Sequence, residues 1–178
     1  KEFKTGDIIV VNLGKHKNRT YSGKDKLCMF LWSFGCKCKV IPIKVLSGKG
    51  DGNDSDIAKG IIWAVDHGAK VINLSLGGAG AGKTLENAIL YAYNSNALVV
   101  AAMGNNGANV KNYPAAFKNV VAVGASDAKN KVAPFSNFGD WISVTAPGLK
   151  IHSTLPTYKV ELSRYNLGTE YGILSGTS

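Results

Sequence analysis

Arginine is nearly missing from this chain. Only Arg19 and Arg164 stand among 21 basic residues, and the lysines are scattered, densest before residue 40. Twelve acidic residues leave a formal charge of +9 and a pI near 9.5. A basic excess serves nucleic acid when it gathers into a patch or stripe. None is visible here, so the expectation is a solvated basic surface with no nucleic-acid partner.

Cysteine is equally sparse. Cys28, Cys36 and Cys38 fall inside an eleven-residue window, and the three histidines lie far apart in sequence. Cys36 and Cys38 are too close for an easy mutual disulfide, and the spacing matches no common zinc pattern. No metal site is expected from these residues. Long apolar runs are also lacking. The longest, such as "ALVVAAM", have the length of a strand, so no membrane span is expected. No secretory leader is visible, and a chain opening on "KEFKTGD" without Met reads as a processed product or a fragment.

What is present is a globular composition, 45% hydrophobic and 19% charged over 178 residues, enough for one domain with a real core. From Lys39 onward the order is regular. "KVIPIKVL" reads as a buried strand and "DSDIAKGIIWAVDHG" as an amphipathic helix with Ile57, Ile61, Ala64 and Val65 on one face and Gly68 as its stop. "AKVINLSL", "ALVVAAMG", "NVVAVGAS" and "WISVTAPG" read as further strands, with "KTLENAILYAYNSN" as a second helix. Non-alternating apolar strands separated by helices predict an α/β fold in three layers, a mostly parallel sheet with helices on both faces. Functional loops then belong at the C-terminal ends of the strands. Residues 1–38 lack this consistency. "GDIIVVNLG" could form a strand, but "LCMFLWSFGCKC" has no clear period. A shift of reading frame over about residues 20 to 38 would account for that break and for all three cysteines.

"LSLGGAGAGKT" imitates a phosphate-binding loop: Gly77, four residues, then Gly82-Lys83-Thr84, between a strand and a helix. Another reading competes for the same glycines. "KVINLSLGG", "LVVAAMGNNG", "YPAAFKNVVAVGASD", "APFSNFGDWISVTAPG" and the terminal "LSGTS" resemble, in order and spacing, the subtilisin-like serine proteases. The match runs from Lys39 to Ser178. It makes 39–178 a partial peptidase domain ending at the nucleophile position, with 1–38 an atypical N-terminal segment.

The resemblance implies peptide-bond hydrolysis through an acyl-enzyme. Ser178 matches the nucleophile, which needs a hydroxyl where free N–H groups favour developing negative charge. Asn105 matches the oxyanion-hole asparagine, whose amide would meet the tetrahedral intermediate. Substrate would pair as an extended peptide with two edges, Ser75, Leu76 and Gly77 on one side and Gly50, Asp51 and Gly52 on the other. Ala102 to Gly104 would form the opposite wall of the first, apolar pocket. The family implies a cis bond at Tyr113-Pro114, in a loop that can hold a weak calcium ion, with no cofactor required. It also implies an extracellular location and protein or peptide substrates. A monomer, not associated with membranes, is expected.

Two pieces of the expected chemistry have no match. The family carries an orienting carboxylate in Asp-Thr/Ser-Gly and a base in His-Gly-Thr-His, and neither motif stands in this sequence. His16 is the one histidine in the region where the base belongs. Asn12 in "VVNLG" echoes the carboxylate motif but lies too close to "KVL", and the true segment should precede Lys1. His67 and His152 read as surface residues. The parent activity is therefore a serine endopeptidase, and this chain is expected to be a truncated or degraded form without turnover. The alternatives are a non-catalytic peptide-binding remnant or a nucleotide-binding protein using Lys83 and Thr84.

Overall fold

The computed structural model describes residues 9–11, 41–155 and 170–178, the first three by their backbone alone. Helix α1, Asp54–Asp66, begins where its sequence says it should. Asn53 is extended, and its side chain accepts the Asp56 N–H at 2.9 Å, while Asp54 and Asp56 add negative charge to the positive end of the helix. It ends at Gly68, whose φ of +87° lets the Gly68 and Ala69 amides turn back to the Val65 and Ala64 carbonyls, both at 2.9 Å. Helix α2, Lys83–Asn94, closes in the same way with Asn96 at a φ of +59°.

Five strands form one parallel sheet in sequence order. They are β1 (Ile9–Val11), β2 (Val71–Leu74), β3 (Leu98–Ala102), β4 (Val120–Ser126) and β5 (Val144–Pro147). Register is continuous across it: Val11 faces Leu74, Leu74 faces Ala101, and Ala102 faces Val123. Alternate residues Ile72, Leu74, Val99 and Ala101 are buried on one face against Ile57, Ile61 and Ala64 of α1 and Leu85, Ile89 and Ala92 of α2. Both described helices belong to this single core. Val71, Asn73, Leu98 and Val100, on the other face, keep partial or full exposure.

One expected strand is not a strand. In "KVIPIKVL" the described part, residues 41–46, forms no ladder; Ile41, Ile43, Val45 and Leu46 pack half-buried on the core. The place beside β2 is taken by β1, paired Ile9 to Ile72 through Val11 to Leu74. Residue 60 must be glycine for this packing, because a Cβ there would lie 2.5 Å from the Val45 side chain.

Because all five strands run the same way, their C-terminal ends share one edge. Strands β6 (Ile151–Thr154) and β7 (Tyr171–Leu174) pair antiparallel beyond it. This pair returns the chain to the sheet end, where the Gly176 amide donates to the Gly148 carbonyl at 2.9 Å. A Cβ on Gly148 would sit 2.4 Å from the Gly176 oxygen, so this approach requires glycine. Residues 175–178 are thereby laid across the ends of the central strands.

Candidate active site

The loop after β3 and the tail after β7 meet at Asn105. Its Oδ1 accepts from the Thr177 N–H and the Thr177 hydroxyl, both at 2.9 Å, across 72 residues of sequence. The Thr177 hydroxyl also accepts from the Gly104 N–H at 3.2 Å. With Oδ1 committed twice, the amide Nδ2 is the group Asn105 has left to offer, beside exposed Ser178. Thr177 is buried, whereas Asn105 and Ser178 reach solvent. A buried threonine thus holds an exposed amide by its oxygen, and the following residue, Ser178, carries an exposed hydroxyl.

The segment after β2 supplies a second cluster. The Asn73 side-chain amide donates to the Ser75 hydroxyl at 2.9 Å. Gly78 and Tyr113 exchange both backbone hydrogen bonds at 2.9 Å, and the Tyr113-Pro114 bond is cis, as the resemblance implies. Ser75, Leu76, Gly77 and Gly78 line a 340 Å³ cavity with Gly50 and Gly52 opposite. Ile57, Leu85, Leu46 and Tyr113 give it apolar walls, and the Asp54 carboxylate is its acidic group. Asp51 faces away, toward the groove between residues 42–47 and α1. Its backbone carbonyl accepts from Ser47 at 2.6 Å to close the turn that presents Gly50.

Asn112 joins the two clusters. Its amide donates to the Ala102 carbonyl at 3.2 Å, and a Cβ on Gly77 would lie 2.1 Å from that same nitrogen. A Cβ on Gly104 would lie 3.2 Å from the Asn112 side-chain carbon. The walls Ser75–Gly77 and Ala102–Gly104 therefore stand on either side of one side chain. Asn112, Thr177 and Asn137 were not singled out in the sequence, although Thr177 and Asn137 lie inside quoted motifs. For Thr177 the available signal was its place between a motif glycine and Ser178.

The apparent phosphate loop has other partners. The Gly82 amide, at the N-terminus of α2, donates to the Asp54 carboxylate, which sits where an anionic ligand would be drawn. Lys83 pairs with Glu86 at 2.8 Å on an exposed face. His16 and the three cysteines lie outside the described residues. His67 stacks on Trp63, ring centres 3.8 Å apart, with its Nδ1 2.8 Å from the Trp63 carbonyl, and His152 stacks on Tyr171. Both are exposed and belong to neither cluster.

Among the described residues no group of three or more His, Cys, Asp or Glu side chains could hold a metal ion. In the cis-proline loop the Tyr113 carbonyl accepts from the Gly78 amide. No step below passes through a metal. Among the described residues, no helix is long and apolar enough to cross a membrane.

Known proteins resemble this chain in sequence and in fold. A model of the subtilase family matches residues 22–178. A thermophilic serine proteinase of Bacillus sp. (strain AK1) is 46% identical over 79% of this chain and 32% of its own length. Thermitase of Thermoactinomyces vulgaris is 41% identical over 80% of this chain and 47% of its own. Among solved structures, a lanthipeptide protease superposes with a TM-score of 0.70 at 29% identity, over 79% of this chain and 51% of that one. A cold adapted subtilisin-like serine proteinase gives 0.66 at 29% identity, over 79% and 48%. The chain spans between a third and a half of the length of these relatives. Its fold is the parallel sheet with helices of a partial subtilisin-like domain, and the chain belongs to the subtilase family of serine proteases.

Proposed function

We propose that this chain supplies the nucleophile, the oxyanion amide and the substrate edges of a serine endopeptidase. In that reaction the Ser178 oxygen adds to a peptide carbonyl while a base removes its proton. The carbonyl oxygen, now negative, is met by the Asn105 Nδ2–H and the Ser178 N–H. Collapse expels the amine, which takes up the proton, and water then releases the acyl group by the same steps in reverse. The observation that carries the reading is the pair of hydrogen bonds that Thr177, the residue before Ser178, donates to Asn105 Oδ1, which leaves the amide Nδ2 to donate elsewhere. An extended peptide would lie between Ser75–Gly77 and Gly50–Gly52, with an apolar side chain in the pocket between Ser75–Gly77 and Ala102–Gly104.

The base and its orienting carboxylate have no matched motif in these 178 residues. Asn12, which echoes the carboxylate motif in sequence, is an amide and carries no charge. His16 is the candidate base. The 178-residue chain is accordingly read as binding extended peptides without turning them over, as an extracellular monomer. An activity-based fluorophosphonate and a peptide anilide, each run against a Ser178→Ala control, test this. Turnover or stoichiometric labelling at Ser178 would place a working base within the chain.

A further inference from the structure

Asn137, between β4 and β5, is 1% exposed. A buried primary amide is costly unless its donors and acceptor are met. Its Nδ2 donates to the Met103 carbonyl at 3.0 Å and to the Val110 carbonyl at 3.3 Å. Its Oδ1 accepts the Asn106 N–H at 2.8 Å, and its own backbone N–H donates to the Gly104 carbonyl at 3.0 Å. These partners flank Asn105 on both sides. Within Met103–Asn106, Asn105 alone makes no bond to Asn137, and its side chain is the one held by Thr177. Gly104 allows the approach: its φ is +100°, and a Cβ there would lie 2.6 Å from the Asn137 Nδ2. Backbone bonds from Gly107 to Phe135 (2.7 Å) and from Phe138 to Ala108 (3.2 Å) dock the rest of the loop independently of the Asn137 side chain.

We infer that Asn137 is a positioning residue for the Asn105 amide, setting its aim at the tetrahedral stage and leaving capture of the substrate untouched. The inference rests on the reading of Asn105 as the oxyanion donor. The Thr177 bonds fix which end of the Asn105 amide faces out, and Asn137 fixes the backbone from which that amide projects. Losing the side chain of Asn137 leaves Ser75–Gly78 in place, held by Tyr113 and Asn112. The Ala102–Gly104 wall, though it loses the bond at the Met103 carbonyl, keeps its bonds to Asn112, Val123, Thr177 and the Asn137 backbone.

The test uses the 178-residue protein and two ligands of one sequence, a peptide boronic acid and the same peptide as a carboxamide. Boron accepts the Ser178 oxygen, the hydroxyl proton passing to buffer, and so mimics the tetrahedral stage; the carboxamide reports capture alone. The unsubstituted chain is expected to bind the boronate more tightly. Asn137→Ala should lower boronate affinity about tenfold, less than the 10²–10³ for outright loss of a donor because the amide is misaimed rather than removed. Carboxamide affinity should stay within about twofold. Asn137→Ser, which keeps an acceptor for the Asn106 N–H, should recover part of the loss, and it also serves if the alanine variant does not fold. Asn105→Ala separates the two layers of the argument. If it weakens boronate binding while the Asn137 variants do not, this inference falls and the oxyanion reading stands. If neither weakens it, or the two ligands bind the unsubstituted chain alike, both fall. A proportional loss for both ligands would make Asn137 structural only, and would also overturn the inference.

Discussion

Gly77 has no room for a side chain. An alanine Cβ would meet the Asn112 amide at 2.1 Å and the Tyr113 carbonyl at 2.9 Å, so Asn112 would have to leave its bond to Ala102. Gly77→Ala is expected to cost about 1–3 kcal/mol by overpacking and to weaken peptide binding, read by urea denaturation and fluorescence titration. Lys83→Ala is the contrasting case. Its exposed pair with Glu86 contributes little, so stability should change by less than about 0.5 kcal/mol, with no ATP binding to lose. Micromolar ATP binding that disappears in this variant would revive the phosphate-loop reading. In a complete peptidase, Asn105→Ala is expected to lower kcat by about 10²–10³ with KM nearly unchanged. At this scale the sequence was legible at motif glycines such as Gly77 and Gly104, where close approach demands one residue type, while the roles of Ser178 and Asn105 belong to the proposal. Thr177 and Asn137 escaped because their partners lie 27 to 73 residues away, and Asn112 because no local pattern announces its bond to Ala102.

Helix α2 has glycine at its N-cap and so depends on its neighbour for capping. The Asp54 carboxylate, from the first turn of α1, accepts the Gly82 amide. Asp54→Ala is therefore expected to destabilise the chain by about 0.5–2 kcal/mol, although Asp54 belongs to the other helix. A loss within error in thermal denaturation would show that contact to be idle. The helices are tied again where the Tyr91 hydroxyl donates to the Asp66 carboxylate at 2.6 Å. That hydrogen bond, then the carboxylate's charge, raises the Tyr91 pKa from its ordinary 10.0. A raised phenol stabilises the fold fully below the unfolded value of about 10 and loses that contribution as pH climbs through the folded one. Melting temperature measured from pH 9 to 12 should fall more steeply in the parent chain than in Tyr91→Phe. The helices α1 and α2 and the strands β2 and β3 carry one repeating buried face, and β4 and β5 were legible as apolar runs, although β5 is exposed along its length. The segment 41–46 misled because its apolar content met the core without a ladder partner. The β6–β7 pair went unseen because both strands are largely exposed and carry no apolar alternation.

Across the whole molecule one core joins α1, α2 and the sheet, and the site hangs from the sheet's C-terminal edge. Ile61 is fully buried at that junction, and Ile61→Ala should cost about 2–5 kcal/mol, seen as a shift of the urea midpoint without change in slope. The parallel order of the strands was legible from apolar runs alone. The inward return of the tail was not, because it depends on the Gly148–Gly176 approach between residues 28 positions apart. The site is assembled from three stretches: Gly176–Ser178 is bonded to Gly104 and Asn105 through Thr177, and Ser75–Gly78 is held by the Gly78–Tyr113 pair and packs on Asn112. The central proposal is that these stretches hold nucleophile, oxyanion amide and peptide edges and that the 178-residue chain does not turn peptides over. Loss of base and orienter together costs about as much as loss of the serine, near 10⁶ in kcat. The direct measurement is hydrolysis of a peptide anilide by the purified chain beside its Ser178→Ala variant, with a fluorophosphonate label followed by mass spectrometry. The account predicts equal, background rates and no label on Ser178; turnover confined to the parent chain, with one label at Ser178, would contradict it.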